Sequence, residues 1–121
     1  MQYSLCSLLF KTTDDYEHNL KILLDLIDDA PDSSLIVAPE VCLGGFDYDN
    51  FDAMHEFAST AIQKIEKVSF NKIIILTILE KREDKVYNFA KVFYNGKVVY
   101  EQAKAYLFKF GQEHHYIEAG D

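Results

Sequence analysis

The stretch Leu35-Ile36-Val37-Ala38-Pro39-Glu40-Val41-Cys42 sets a carboxylate at the end of an apolar run, directly after proline, with a thiol two residues beyond it. Taken as chemistry, those types are a base and a nucleophile. A carboxylate beside an apolar interior is poorly solvated, which suits Glu40 to take up a proton as a general base. The plainer reading is that Glu40 is the first solvated residue after a strand, and position alone favours it. For Cys42 to act as a nucleophile it needs a neighbouring His or Lys to form the thiolate, and none stands beside it in the sequence. Free cysteines are more often buried as small hydrophobes. Cys6, inside the first apolar segment, is a weaker candidate still.

Further along, Lys104 ends the run Tyr100-Glu101-Gln102-Ala103-Lys104. Strand alternation puts Val98, Tyr100, Gln102 and Lys104 on one face. There the lysine is either a cation facing a site or a side chain that snorkels outward at the strand end. His114 and His115 are adjacent, so in a strand their rings point to opposite faces and cannot share a metal; they read as surface residues. Glu113 carries no signal by itself. The pair Gly44-Gly45 lacks the surroundings of a phosphate loop, no Cys/His spacing suggests zinc, and no cofactor is implied.

The elements that must position these groups follow from periodicity and punctuation. Tyr3 to Phe10 reads as a strand, after which Thr13 or Asp14 caps a helix, with Glu17 three residues on from Asp14. Leu20, Leu23, Leu24 and Ile27 recur at helical spacing before Ala30-Pro31-Asp32 ends it. Leu35 to Ala38 is a second strand, apolar throughout, as expected of one covered on both faces. Asp49 to Lys67 carries Phe57, Ala61, Ile62 and Ile65 at helical spacing, and Lys72 to Glu80 is a third strand. This β-α-β-α-β order favours parallel pairing. Val86 to Tyr94, Asn95-Gly96 and Lys97 to Gln102 then form a hairpin signal, because Asn-Gly tolerates the positive φ values of a type I′ turn. A mixed sheet is predicted. Strands covered on both faces need two layers, yet two helices are visible, which hints at a missing part.

At 121 residues the chain suits one domain. Its net charge of -8 argues against nucleic acid and against anionic membrane surfaces, since both require a basic patch. The longest apolar stretch, Ile73 to Leu79, falls far short of the ~20 residues of a membrane helix. The N-terminus lacks the basic head of a secretory signal, and two cysteines make no disulfide framework. A reducing cytoplasm is the expected setting.

Taken together, three places resemble the nitrilase, or carbon–nitrogen hydrolase, superfamily. The strand ending in Pro39-Glu40 and its turn Leu43-Gly44-Gly45-Phe46 are similar to the family's Pro-Glu strand. Tyr87-Asn88 with the Asn95-Gly96 hairpin, running into Lys104-Ala105-Tyr106-Leu107, resembles the family's hairpin and its Tyr-x-Lys-x-x-Leu. Glu113 to Asp121 resembles its acidic stretch ending in Pro-Gly-Asp. Gln102 stands where the family has tyrosine, and Ala119 where proline is common. The resemblance implies an α/β fold, the N-terminal half of a four-layer α-β-β-α sandwich with a mixed sheet, usually assembled as a homo-oligomer. It implies a Glu-Lys-Cys triad acting on a small-molecule amide, carbamoyl-amine or nitrile without a cofactor. Glu40 would be the general base, Lys104 would stabilise the oxyanion and Glu113 would position the lysine.

The family's cysteine motif, resembling C-x-D/E-x-R-F-P-E, lies downstream of the lysine, and neither Cys6 nor Cys42 matches it. Residues 1–121 therefore read as a single partial domain that holds base and lysine without the nucleophile and is inactive alone. A rival reading is a non-catalytic binding or assembly module that uses the half-sandwich as an interface. A third is a small cysteine hydrolase using Cys42.

Overall fold

The computed structural model describes residues 2–121. Five strands and two helices follow one another as β1 (Ser4–Ser7), α1 (Tyr16–Asp29), β2 (Ser34–Val37), α2 (Phe51–Lys67), β3 (Lys72–Arg82), β4 (Lys85–Tyr94) and β5 (Lys97–Ala103). Two short 3-10 turns, Lys109–Gly111 and Glu113–His115, follow β5 and lead into the irregular segment Tyr116 to Asp121. The sheet order is β1-β2-β3-β4-β5, parallel across the first three strands and antiparallel across the last three. The mixed sheet is the one the sequence predicts. Asn95 and Gly96 both have positive φ, 52° and 85°, as a type I′ turn requires.

Helix α1 buries the stripe that its spacing marks, Leu20, Leu23 and Ile27. Helix α2 is turned so that Met54 and Ala58 join Ala61 and Ile65 in the core, and Phe57 and Ile62 are only half-buried at its edge. The cap of α1 is Asp15, one residue later than expected, and its carboxylate accepts from the His18 N–H at 3.0 Å. Both helices pack against the same side of the sheet, on Ile36, Ile74, Leu76, Ile78 and Phe93. Strands that advance in one direction through crossovers of one hand put their helices on one face.

Cover on both faces, expected for β2, is therefore not found. The register sets Leu5, Leu35, Ile73, Val92 and Tyr100 on the side away from the helices. On that side Leu5 is 75% and Val37 38% exposed. The strands are thus apolar on a face that no helix among the described residues covers.

A second correction concerns β5. Its register shifts between Val92 and Phe93, where Val92 pairs with Tyr100 and Phe93 with Val98. The extra residue, Val99, turns Val98 to the helix side, where it packs on the core. Tyr100 and Gln102 stay on the open side, so strict alternation from Val98 fails at a bulge. Beyond the bulge the hairpin is fastened by charge. The Lys91 ammonium, its side chain 4% exposed, meets Glu80 at 3.2 Å and Glu101 at 2.9 Å. Arg82 holds both of Glu101's oxygens, and this guanidinium draws the Glu101 carboxyl down to about 2.

Candidate active site

Glu40 lies three residues past the end of β2, in the turn that leads towards α2. Val41, directly after it, is a β-branched residue held at φ 50°, a conformation costing about 1–3 kcal/mol that persists only where its surroundings enforce it. Here the Val41 N–H donates to Thr77 Oγ1 at 2.7 Å, and the Val41 carbonyl accepts from the Gly45 N–H at 2.8 Å. The same turn is tied to the first loop through Asn19, which is buried in α1. Asn19 Nδ2 donates to the carbonyls of Thr13 and Leu43, while its Oδ1 accepts from the Thr13 N–H and hydroxyl. A fully paired buried amide of this kind fixes one loop against another.

Lys104 directly follows β5, and its N–H donates to the Asn88 carbonyl at 2.7 Å, extending the ladder with β4. The last residues return across it, with the Gly120 N–H donating to the Lys104 carbonyl at 2.9 Å. A Cβ at Gly120 would stand 2.5 Å from the Ala103 side chain, so only glycine permits that approach. Glu113 opens the second 3-10 turn and is 2% exposed. Its Oε2 accepts from the Phe108 N–H at 2.7 Å, which closes the loop between β5 and the chain end.

The three side chains converge from these three segments. Lys104 Nζ donates to Glu40 Oε2 at 3.0 Å and lies 3.2 to 3.3 Å from the two Glu113 oxygens. Burial works to lower the Lys104 pKa, but the hydrogen bonds and charges of Glu40 and Glu113 outweigh it, and the ammonium is held above its ordinary value. An ammonium has three N–H donors, so with two carboxylates engaged one remains. Glu113 is deeply buried. The Glu40 side chain is 49% exposed, so desolvation in an apolar interior, expected from its place in the sequence, is not its surrounding.

Two cavities flank the Glu40–Lys104 pair. One, of about 540 Å³, is walled by Phe46, Tyr48 and Phe108 with Glu113 at its base. The other, of about 270 Å³, opens on the uncovered sheet face beside Thr77, Asn88, Ala90 and Gln102. Tyr48 stacks on Tyr116 with ring centroids 4.2 Å apart, joining the Glu40 segment to the Glu113 segment. A larger hollow of about 690 Å³ lies at the start of α2 among Asp49, Asp52, Lys81 and Asp84, and neither Glu40 nor Lys104 lines it.

Neither cysteine joins this group. Cys42 is fully buried in the main core, and burial pushes its thiol up to about 12. A thiol in that state is protonated and inert, so the Cys42 hydrolase reading is withdrawn. Cys6 sits in β1 with its sulfur 3.8 Å from Ser34 Oγ. His114 and His115 occupy a 3-10 turn instead of a strand, and their rings lie 4.0 Å apart instead of opposed. Successive side chains of such a turn diverge by about 120°, less than the opposed directions of a strand. Among the described residues no group of three or more His, Cys, Asp or Glu side chains converges as metal ligands would. No helix among them is long and apolar enough to cross a membrane.

Sequence reasoning missed Asn88 and Thr77. Asn88 is 1% exposed, and its Nδ2 donates to Glu40 Oε2 at 3.1 Å. Its Oδ1 is buried without a hydrogen-bond partner among the described residues, an omission that costs about 1–3 kcal/mol. A lone polar residue in the apolar run Ile73 to Leu79 was the available signal for Thr77.

No family model and no curated protein matches the sequence. Solved structures do. A carbon–nitrogen hydrolase superfamily protein of Xanthomonas campestris, with an arsenic adduct in its active site, is 22% identical with a TM-score of 0.76, covering 99% of this chain and 44% of that one. A carbon–nitrogen hydrolase of Helicobacter pylori is 19% identical at a TM-score of 0.79, over 95% and 44% of the two chains. A nitrilase superfamily member of Saccharomyces cerevisiae is 24% identical at 0.61, over 93% and 46%. The chain thus spans less than half the length of these proteins.

Proposed function

We propose, from a chain that folds as half of a nitrilase-like sandwich, that it carries the base and the cation of a hydrolase for non-peptide carbon–nitrogen bonds. The observation that supports this reading is the meeting of Glu40, Lys104 and Glu113 around a single ammonium. Glu40 takes the proton of a cysteine thiol, and the sulfur attacks the carbon of an amide or carbamoyl-amine. The oxygen that becomes negative faces the Lys104 N–H left over by the two carboxylates. Glu113 keeps that ammonium in place. Ammonia or an amine leaves with the proton from Glu40, and water then hydrolyses the thioester. A nitrile is the other substrate class consistent with the same groups.

With Cys42 buried in the core and Cys6 in β1, the nucleophile comes from outside these 121 residues. The purified chain is therefore expected to release no ammonia from simple amides, carbamoyl-amines or nitriles. Release above the buffer rate, abolished by Glu40→Gln, would show that the chain holds its own nucleophile.

The uncovered sheet face supports a second reading, an assembly module that binds through that face. An apolar surface of this kind favours association over solvation. Light scattering is expected to show a species larger than one chain, and Val92→Lys is expected to reduce it. A monomer at all concentrations would remove the assembly reading.

A further inference from the structure

Asn88 pays for its place in β4 with a buried carbonyl, Oδ1, that finds no partner among the described residues. Its orientation is forced from the other end, where Nδ2 donates to Glu40 Oε2 at 3.1 Å. Turning the amide over would set Oδ1 against a carboxylate oxygen, acceptor facing acceptor. A leucine has the same branched outline and would leave no polar atom of its own stranded, and the oxygen it deserts, Glu40 Oε2, stays bonded to Lys104 on a half-exposed side chain that water can reach. Among the described residues the one hydrogen bond that the Asn88 side chain makes is the one to Glu40.

Lys104 Nζ donates to the same oxygen, Oε2, at 3.0 Å. No described residue bonds Oε1. The backbone of Asn88 also reaches the site, since its carbonyl accepts the Lys104 N–H at 2.7 Å. One residue thus touches both partners of the ion pair, holding the lysine through its main chain and the glutamate through its side chain.

We propose that Asn88 is a positioning residue for Glu40, which together with Lys104 pins Oε2 and leaves Oε1 as the atom that takes the proton. Two donors on one carboxylate oxygen fix the rotation of the group, so Oε1 points in one direction in every molecule. This inference rests on the reading of Glu40 as a base. The pinning itself is read without any turnover.

The test uses the 121-residue chain, its Asn88→Leu and Glu40→Ala variants, urea unfolding and NMR. In Asn88→Leu the urea midpoint is expected to equal or exceed that of wild type, because the stranded carbonyl is gone and half-exposed Glu40 returns to water. The Glu40 carboxyl carbon resonance is expected to move towards that of a solvated glutamate. In Glu40→Ala the Asn88 side-chain amide protons are expected to shift, because their acceptor has gone. A lower midpoint in Asn88→Leu, an unmoved Glu40 carbon, or an Asn88 amide indifferent to Glu40→Ala would each overturn the proposal. Failure of the hydrolase reading would show in none of these measurements, only in the absence of turnover once a nucleophile is supplied.

Discussion

Lys104→Met is expected to unfold at a clearly lower urea concentration than the wild-type chain, losing about 2 kcal/mol of stability. The variant keeps the length of the side chain and removes its charge, so buried Glu113 loses its cation and retains a single hydrogen bond, from the Phe108 N–H. Leaving one member of a buried pair uncompensated costs about 3–5 kcal/mol in general. The partial exposure of Lys104 and Glu40 discounts that figure through solvent screening. The effect has a pH signature. Because the folded-state pKa of Lys104 is raised from 10.5, its contribution is fully present below that value and is lost as pH rises through the higher folded value. The gap between wild type and Lys104→Met should be flat around neutrality and narrow as pH rises into strong alkali. A variant as stable as wild type at pH 7 would mean that Glu113 does not depend on this ammonium.

The largest expected effect on chemistry belongs to Glu40→Gln. The glutamine can still accept the hydrogen bonds of Asn88 and Lys104 through its carbonyl oxygen, so the turn keeps its geometry and loses only a group able to take a proton. In an assembly of this chain with a polypeptide that supplies the cysteine, kcat should fall about 10²–10⁴-fold, the range of a lost general base. KM should change little, since substrate contacts remain. Substrate turnover and release of the leaving amine report both constants. Full activity in Glu40→Gln would refute the role assigned to it.

Much of the arrangement was legible before any coordinates. Helical spacing of Leu20, Leu23 and Ile27, the Asn95-Gly96 turn and the apolar runs ending at Pro39-Glu40 are local signals, each set by neighbours a few residues apart. They predict the order of elements and the mixed sheet. The same locality explains the errors. Asp14 and Asp15 are both good caps, and only the backbone decides which carboxylate meets the His18 N–H. Alternation along β5 cannot foresee Val99 as an extra residue, because the bulge belongs to the pairing with β4.

The sequence by itself determined the elements, their order and the residue types from which a base and a cation could be built, because propensity and periodicity act over a few residues. The tertiary structure alone decided which of them meet. Glu40 and Lys104 are brought to 3.0 Å across a separation of 64 residues, Asn88 joins them across 48, and Cys42, two residues from the carboxylate, is buried in the core as the packing residue its type favours. Those outcomes depend on strand register and on which face the helices cover, and both are fixed by packing over the whole sheet.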